Sequence, residues 1–505
     1  MTAKDAIARR GVLSGALLVA LAGCAAGPDF RTPAAPAVDA YRKDPLPAAT
    51  VETKAPTGDA QRFVSGVDVP AQWWTTFAND ELSRRITQAL AHSPSVASAQ
   101  AALRQAQENA NATRGALYPS VDANAGVQRA NANSLGVGAS EPGAPSVFSL
   151  YNAGVKVNYT LDLFGATRRG VEADTAVADY QRFQLEGTYQ TLAANVATTS
   201  FREASLRGQI RATEEIIDVY NKELKLTEAQ NQIGAKSLAD VLVIRTQVAT
   251  AAATLPPLRQ QLAQTQTQLA VYLGEFPSQS QLAALDLDAL GLPHDVPVSL
   301  PSTLTRQRPD VRAAEATLHQ ATAKVGVATA NLFPQITLSG SLGSSALHSG
   351  DLFSSGTKAW SIGANLLQPI FRGGSLRAQK RAAEAGLDKA AADYEQTVLG
   401  AFQNVADALR ALELDAENLR AQAQAEQSAA QSLELVRIQY RNGSASYLQE
   451  LDATRQYQQT RLGLVQARAA RLADTAALYT ALGGGWKEDS EPVAAAAPSA
   501  SPQAK

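Results

Sequence analysis

Cysteine and histidine, the usual thiol nucleophile and neutral-pH base, are few in this 505-residue chain. Cys24 is the one cysteine, and the four histidines, His92, His294, His319 and His348, are far apart in sequence. That count excludes a zinc ligand set, a disulfide framework and a cysteine nucleophile. The chain carries no phosphate loop, nucleophile elbow or carboxylate pair of a compact active site, so it reads as no enzyme and as needing no cofactor. What recurs instead is turn chemistry. Gly234 is followed by Ser237 and Asp240, and Asn442-Gly443 by Ser446 and Gln449. A glycine ends one helix, and a serine with Asp or Gln three residues on starts the next as a capping box. On these grounds alone Asp240 caps its helix, and Asp452 with Arg455 forms an exposed pair worth a few tenths of a kcal/mol.

Each turn must be held by what precedes it. Ser375 to Arg441 contains no proline and only two glycines, Gly386 and Gly400, so nothing forces a break in a single helix. At 1.5 Å per residue such a helix would be roughly 100 Å long, more than a globular domain can bury. Thr167 to Ile233 repeats the length and the composition, rich in Ala, Gln, Leu, Glu and Arg. Flanking landmarks recur at a shift of roughly 210 positions: Pro94-Ser95-Val96 with Pro309-Asp310-Val311, Tyr118-Pro119 with Phe333-Pro334, and Leu273-Gly274 with Leu482-Gly483. The chain is an internal duplication. Return helices over about 238–272 and 447–482 are roughly half as long as the rods, leaving the glycine turns as tips.

Ahead of each rod the period changes from helical to two. Val121, Ala123, Ala125 and Val127 alternate with polar residues, as do Val155, Val157, Tyr159 and Leu161, and later Ile336, Leu338 and Leu342. Such strands fit a half-buried soluble sheet or a membrane barrel with lipid outside and water inside. The N-terminus bears on the choice. Lys4, Arg9 and Arg10 precede an apolar run from Gly11 to Leu21 that is too short to span a membrane, which reads as a secretory signal. It closes with Leu21-Ala22-Gly23-Cys24, which resembles the bacterial lipobox, whose cysteine is lipidated. Ala25, where an Asp would mark inner-membrane retention, favours the outer membrane. The barrel is therefore expected, and four strands cannot close one, so three copies would supply twelve. With net charge −2 and pI near 6.2, no nucleic-acid partner is expected.

The expected organisation is a signal peptide over 1–23 and a lipidated, extended tether over 24–72, with folding beginning near Trp73-Trp74. A first repeat covers 73–273, with strands about 118–131 and 147–164 and a rod about 167–233, and a linker covers 274–300. A second repeat covers 301–486, with strands about 334–346 and 358–371 and a rod about 375–441. A disordered tail covers 487–505.

Several motifs together resemble the lipoprotein branch of the TolC-type outer-membrane efflux proteins. They are Trp73-Trp74 with Phe77, Asp80 and Leu82; Arg308-Pro309-Asp310-Val311-Arg312-Ala313-Ala314-Glu315; Pro369-Ile370-Phe371-Arg372-Gly373-Gly374; and Ala481-Leu482-Gly483-Gly484-Gly485-Trp486. The resemblance covers nearly everything from the lipobox to Trp486. It implies a mainly α fold with a β-barrel part, and a homotrimer whose twelve-stranded barrel continues into a periplasmic helical barrel. It also implies lipid on Cys24 and a passive exit duct joined to a periplasmic adaptor and an inner-membrane RND-type transporter that selects the cargo. The same architecture serves type I protein secretion, which is the alternative. Family gate positions fall on Leu448, Asp452 and Arg455 after the second turn and on Asp240 after the first, with Gly234, Asn442 and Gly443 forming the tip turns. Leu448, Asp452 and Arg455, spaced by four and three, share one helix face.

Overall fold

The structure, a computed structural model, describes residues 25–131 and 147–485. The expected signal peptide, Cys24, residues 132–146, Trp486 and the expected tail 487–505 lie outside the described residues. In chain order the elements are β1 (Arg62–Ser65), α1 (Asp80–His92), α2 (Pro94–Gly115), β2 (Ser120–Asn131), β3 (Val147–Leu161), α3 (Ala166–Gln232), α4 (Leu238–Ala253) and α5 (Leu255–Tyr272). There follow β4 (Asp295–Val298), α6 (Pro301–Gln307), α7 (Pro309–Ala330), β5 (Gln335–Ala346), β6 (Lys358–Leu367), α8 (Ser375–Arg441) and α9 (Tyr447–Ala481). Both rods are single helices of 67 residues.

Two expectations need correction. The return helix over 238–272 is broken at Thr254, because Pro256 and Pro257 cannot donate to the preceding turn and start a new helix there instead. Its counterpart α9 has no proline and runs 35 residues without interruption. The segment after Cys24 is extended but is no loose tether, and folding begins well before Trp73. Its strand β1 pairs in parallel with β4 from the supposed linker, in register from Arg62 with Asp295 to Ser65 with Val298.

The chain folds as two compact units, and each draws on both sequence repeats. Of the described residues, one gathers those up to Pro33 and those within Leu103–Gln181 and Ala314–Tyr394; the other gathers Ala34–Ala102, Arg182–Ala313 and those from Glu395 to 485. The second unit is centred on Trp73, Phe77, Phe201 and Tyr479, whose rings meet at 5.0–6.4 Å. Such edge and tilted contacts add to the burial of large apolar surface. Arg85 and Glu203 pair at 2.8 Å, both fully buried, and Glu81, Ser200 and the carbonyl of Ala283 accept three further guanidinium N–H groups. Fully buried Arg471 of α9 donates to the carbonyls of Thr57 and Asp59 and to the Thr50 hydroxyl at 2.8–2.9 Å, so backbone from the N-terminal segment solvates its charge. Burial lowers its pKa to about 10.

The duplication is visible in how the return helices end. At both C-termini a positive-φ glycine closes a Schellman turn: Gly274 donates to Val271 and Glu275 to Ala270, while Gly483 donates to Thr480 and Gly484 to Tyr479. A Cβ on Gly274 would lie 2.5 Å from the carbonyl oxygen of His92, and one on Gly483 would lie 2.4 Å from that of Gln307. His92 and Gln307 each stand two residues before the proline that opens the next helix, so the same close approach is built twice.

Candidate functional site

The first unit holds an antiparallel sheet ordered β2-β3-β5-β6. Its register sorts side chains into rows of one kind. Val121, Val157, Gly340 and Ile362 lie across one row, and Ala123, Val155, Leu342 and Trp360 across the next on the same face. On the other face Asp122, Lys156, Ser341 and Ser361 share a row, as do Thr160, Thr337 and Asn365. The apolar face stays uncovered, with Leu342 64%, Trp360 74% and Ile362 83% exposed. A soluble sheet hides such a face against a core. A sheet with one apolar and one polar face, both bare, matches lipid on one side and water on the other. Strand β6 ends at Leu367, four residues short of the expected limit, because Pro369 has no N–H to give the ladder.

The two tips belong to the second unit. Gly234 and Gly443 both have positive φ, +76° and +73°, and each closes a Schellman turn: Gly234 and Ala235 donate to Asn231 and Gln230, and Gly443 and Ser444 donate to Tyr440 and Gln439. Asn442, the last residue before the second glycine, donates its N–H to Ile438. Both expected capping boxes are formed, Ser237 with Asp240 and Ser446 with Gln449. Asp240 accepts from the Ser237 hydroxyl and amide at 2.8 and 3.0 Å, and these bonds hold its carboxyl below the usual range. In α9, Leu451 is buried against Ile216 and Tyr220 of α3. Leu448, Asp452 and Arg455 are nonetheless exposed, Leu448 by 68%, with the Asp452–Arg455 pair 2.5 Å apart.

A group that sequence reasoning missed lies between the tips. Lys236, in the first turn, donates to the Tyr440 hydroxyl at 2.9 Å, and its ammonium sits 5.2 Å from the Tyr440 ring centroid and 5.6 Å from that of Tyr447. Its pKa is raised, chiefly by the bond to Tyr440. Around it, burial raises the carboxyls of Glu223 and Glu450 and the Tyr447 hydroxyl, and Glu450 lies 3.6 Å from Arg437. The signal available was the pair of tyrosines flanking Gly443 and the lysine two residues after Gly234. Nothing local tied them together across 204 positions.

Among the described residues no group of three or more His, Cys, Asp or Glu is placed to hold a metal ion. The sheet and the long paired helices define a class, and comparison with known proteins agrees. Residues 85–275 and 300–484 match the family described as "Outer membrane efflux protein". The chain is 32% identical over 474 residues to the "Probable efflux pump outer membrane protein TtgC" of Pseudomonas putida, covering 93% of this chain and 94% of that one. It is 28% identical over 483 residues to the "Probable outer membrane lipoprotein SilC" of Salmonella typhimurium, covering 94% and 99%. The solved outer-membrane channel OprN superposes with a TM-score of 0.79 at 29% identity, covering 92% of this chain and all of that one. The chain belongs to the outer membrane efflux protein family: it is a TolC-like outer-membrane channel protein, and its fold is the α-helical and β-barrel fold of those channels.

Proposed function

We propose that three copies of the chain assemble into the passive exit duct of a tripartite pump, closed at the hairpin tips and anchored by lipid on Cys24. The observation that carries this reading is the sheet. It sorts apolar and polar rows onto opposite faces, yet β2 and β6 are both open edges. Open edges are not tolerated in hydrocarbon, so β6 of one copy pairs with β2 of the next until twelve strands close. The polar rows then line a water-filled bore. Energy comes from an inner-membrane RND-type transporter, reached through a periplasmic adaptor.

In this trimer Leu448 and Asp452 recur three times around the mouth. A ring of leucines resists wetting and a ring of carboxylates favours cations, so together they throttle leakage. Arg455, bonded to Asp452, steadies the carboxylate, and Asp240 adds a second acidic position while fixing its helix start. Lys236, Tyr440 and Tyr447 tie one hairpin to the other and hold the mouth shut. The test is single-channel recording in planar bilayers. Asp452→Ala should raise conductance or open probability; a closed state identical to wild type would sink the gate assignment. Co-purification after mild crosslinking in native cells should recover an adaptor and a proton-driven transporter, and recovery of an ATP-driven exporter would instead indicate protein secretion.

A further inference from the structure

Where β6 gives way to α8, the chain exposes an unusual combination. Ile370 and Phe371 are 89% and 86% exposed, and the next residues carry Arg372, Arg377, Lys380 and Arg381. The first turn of α8 has no acidic residue. Cations there oppose the positive end of the helix dipole, and Arg377 and Arg381, four apart, repel each other. Lys380 pairs with Glu384 at 3.0 Å. Arg372, Arg377 and Arg381 are exposed, and their guanidinium groups make no hydrogen bond or ion pair among the described residues. At the corresponding start of α3, in the same unit, the arginines are already answered: Arg168 bonds Asp162, and Arg169 bonds Glu172 and Asp29. Three unanswered charges in an unfavourable place are tolerable if something outside the chain supplies anions.

The adjoining surface says what kind. Ile370 and Phe371 follow Leu366, which is 65% exposed and stands across from Ile336 in the apolar set of rows. The bare apolar pair and the arginines thus follow directly on a strand of the two-faced sheet, at the end where the helix begins. A soluble anion would have no use for two bare apolar side chains. A phospholipid uses both, with its chains on Ile370 and Phe371 and its phosphate on the guanidinium groups. We propose that Arg372, Arg377 and Arg381, with Ile370 and Phe371, form a binding surface for anionic phospholipid headgroups of the periplasmic leaflet.

The test uses the purified, delipidated full-length protein, with retained lipid read by native mass spectrometry. Phosphatidylglycerol is offered against phosphatidylcholine of the same acyl chains. Wild type should prefer the anionic lipid, and the triple variant R372Q/R377Q/R381Q should lose that preference by roughly fivefold per charge, on the order of a hundredfold in all. R372K/R377K/R381K, which keeps the charges, should retain it. So should K225Q/R420Q, which removes two exposed cations of the other unit. Three results would overturn the proposal: an undiminished preference in the glutamine triple, displacement of the lipid by an equal concentration of inorganic phosphate, or arginines already shielded from phenylglyoxal in the delipidated assembly, which would mean a second copy covers them. Conductance of the glutamine triple, recorded alongside, should equal wild type, so the lipid surface and the channel reading are tested separately.

Discussion

In the second unit Asp415 of α8 and Asp474 of α9 bring their carboxyls together near fully buried Arg471. Burial, and then the contact with Asp474, raise the pKa of Asp415 to about 7 against the charge of Arg471, which lowers it. Its Oδ2 is buried with no donor in reach, so the proton itself must satisfy the pair. A folded-state pKa above the unfolded one means that the native state binds the extra proton. Stability is then fully present below the ordinary carboxylate value and is lost as pH rises from about 4 to about 7. A shift to about 7 would be worth roughly 4 kcal/mol undiminished, but Asp415 is only half-buried, and solvent screening reduces the figure to about 1–2 kcal/mol. Asp415→Asn keeps a hydrogen-bond donor toward Asp474 and cannot ionise. At pH 8 it should make the α8–α9 contact about 1–2 kcal/mol more stable than wild type, and at pH 5 it should make little difference. Hydrogen exchange of amides near 415 and 474, corrected for intrinsic rates at the two pH values, reads this directly. A variant less stable than wild type at pH 8, or one with an unchanged pH profile, would refute the shared-proton account.

Three further outcomes are expected. Lys236→Met removes the bond to Tyr440 and both cation–π contacts, and leaves Glu223 and Glu450 without the ammonium that offsets them. At a loss of about 1–2 kcal/mol, open probability should rise by roughly five- to thirtyfold in bilayer recordings, and more at high pH, where both carboxylates are ionised. Gly483→Ala drives a Cβ to 2.4 Å from backbone oxygen at a φ of +98°, and should abolish heat-stable assemblies on gels, whereas Gly386→Ala, in open space within α8, should be neutral or slightly stabilising. Cys24→Ser should prevent incorporation of labelled fatty acid while leaving purified protein able to form channels.

Much of this was legible from local signals. Proline-free stretches fix the rods, because a helix continues wherever nothing breaks it. Strict alternation fixes the faces of the sheet, because the pleat has period two, and each capping box starts three residues after its turn glycine. What stayed hidden depends on distant partners. The segment before Trp73 has the composition of a linker, yet its carbonyls solvate Arg471 more than 400 positions away, a contact made by backbone and therefore unmarked by side-chain type. Lys236 and Tyr440 meet only because the two repeats lie together, and Asp415 and Asp474 because α8 and α9 do. The break at Thr254 was different: Pro256 and Pro257 announced it in the sequence, and the helical pattern around them masked it.

The open edges of the sheet also have a genetic consequence. A chain whose barrel is finished only by its neighbours shares every defect with them. A copy that kept a sound β2 but carried a proline in β6 could still be accepted at one seam and then fail at the next. When such a copy is made in equal amount beside the normal one, only about one random trimer in eight is free of it. Lesions in these two strands should therefore behave as dominant alleles, whereas lesions that merely unfold the chain before it meets a partner should be recessive.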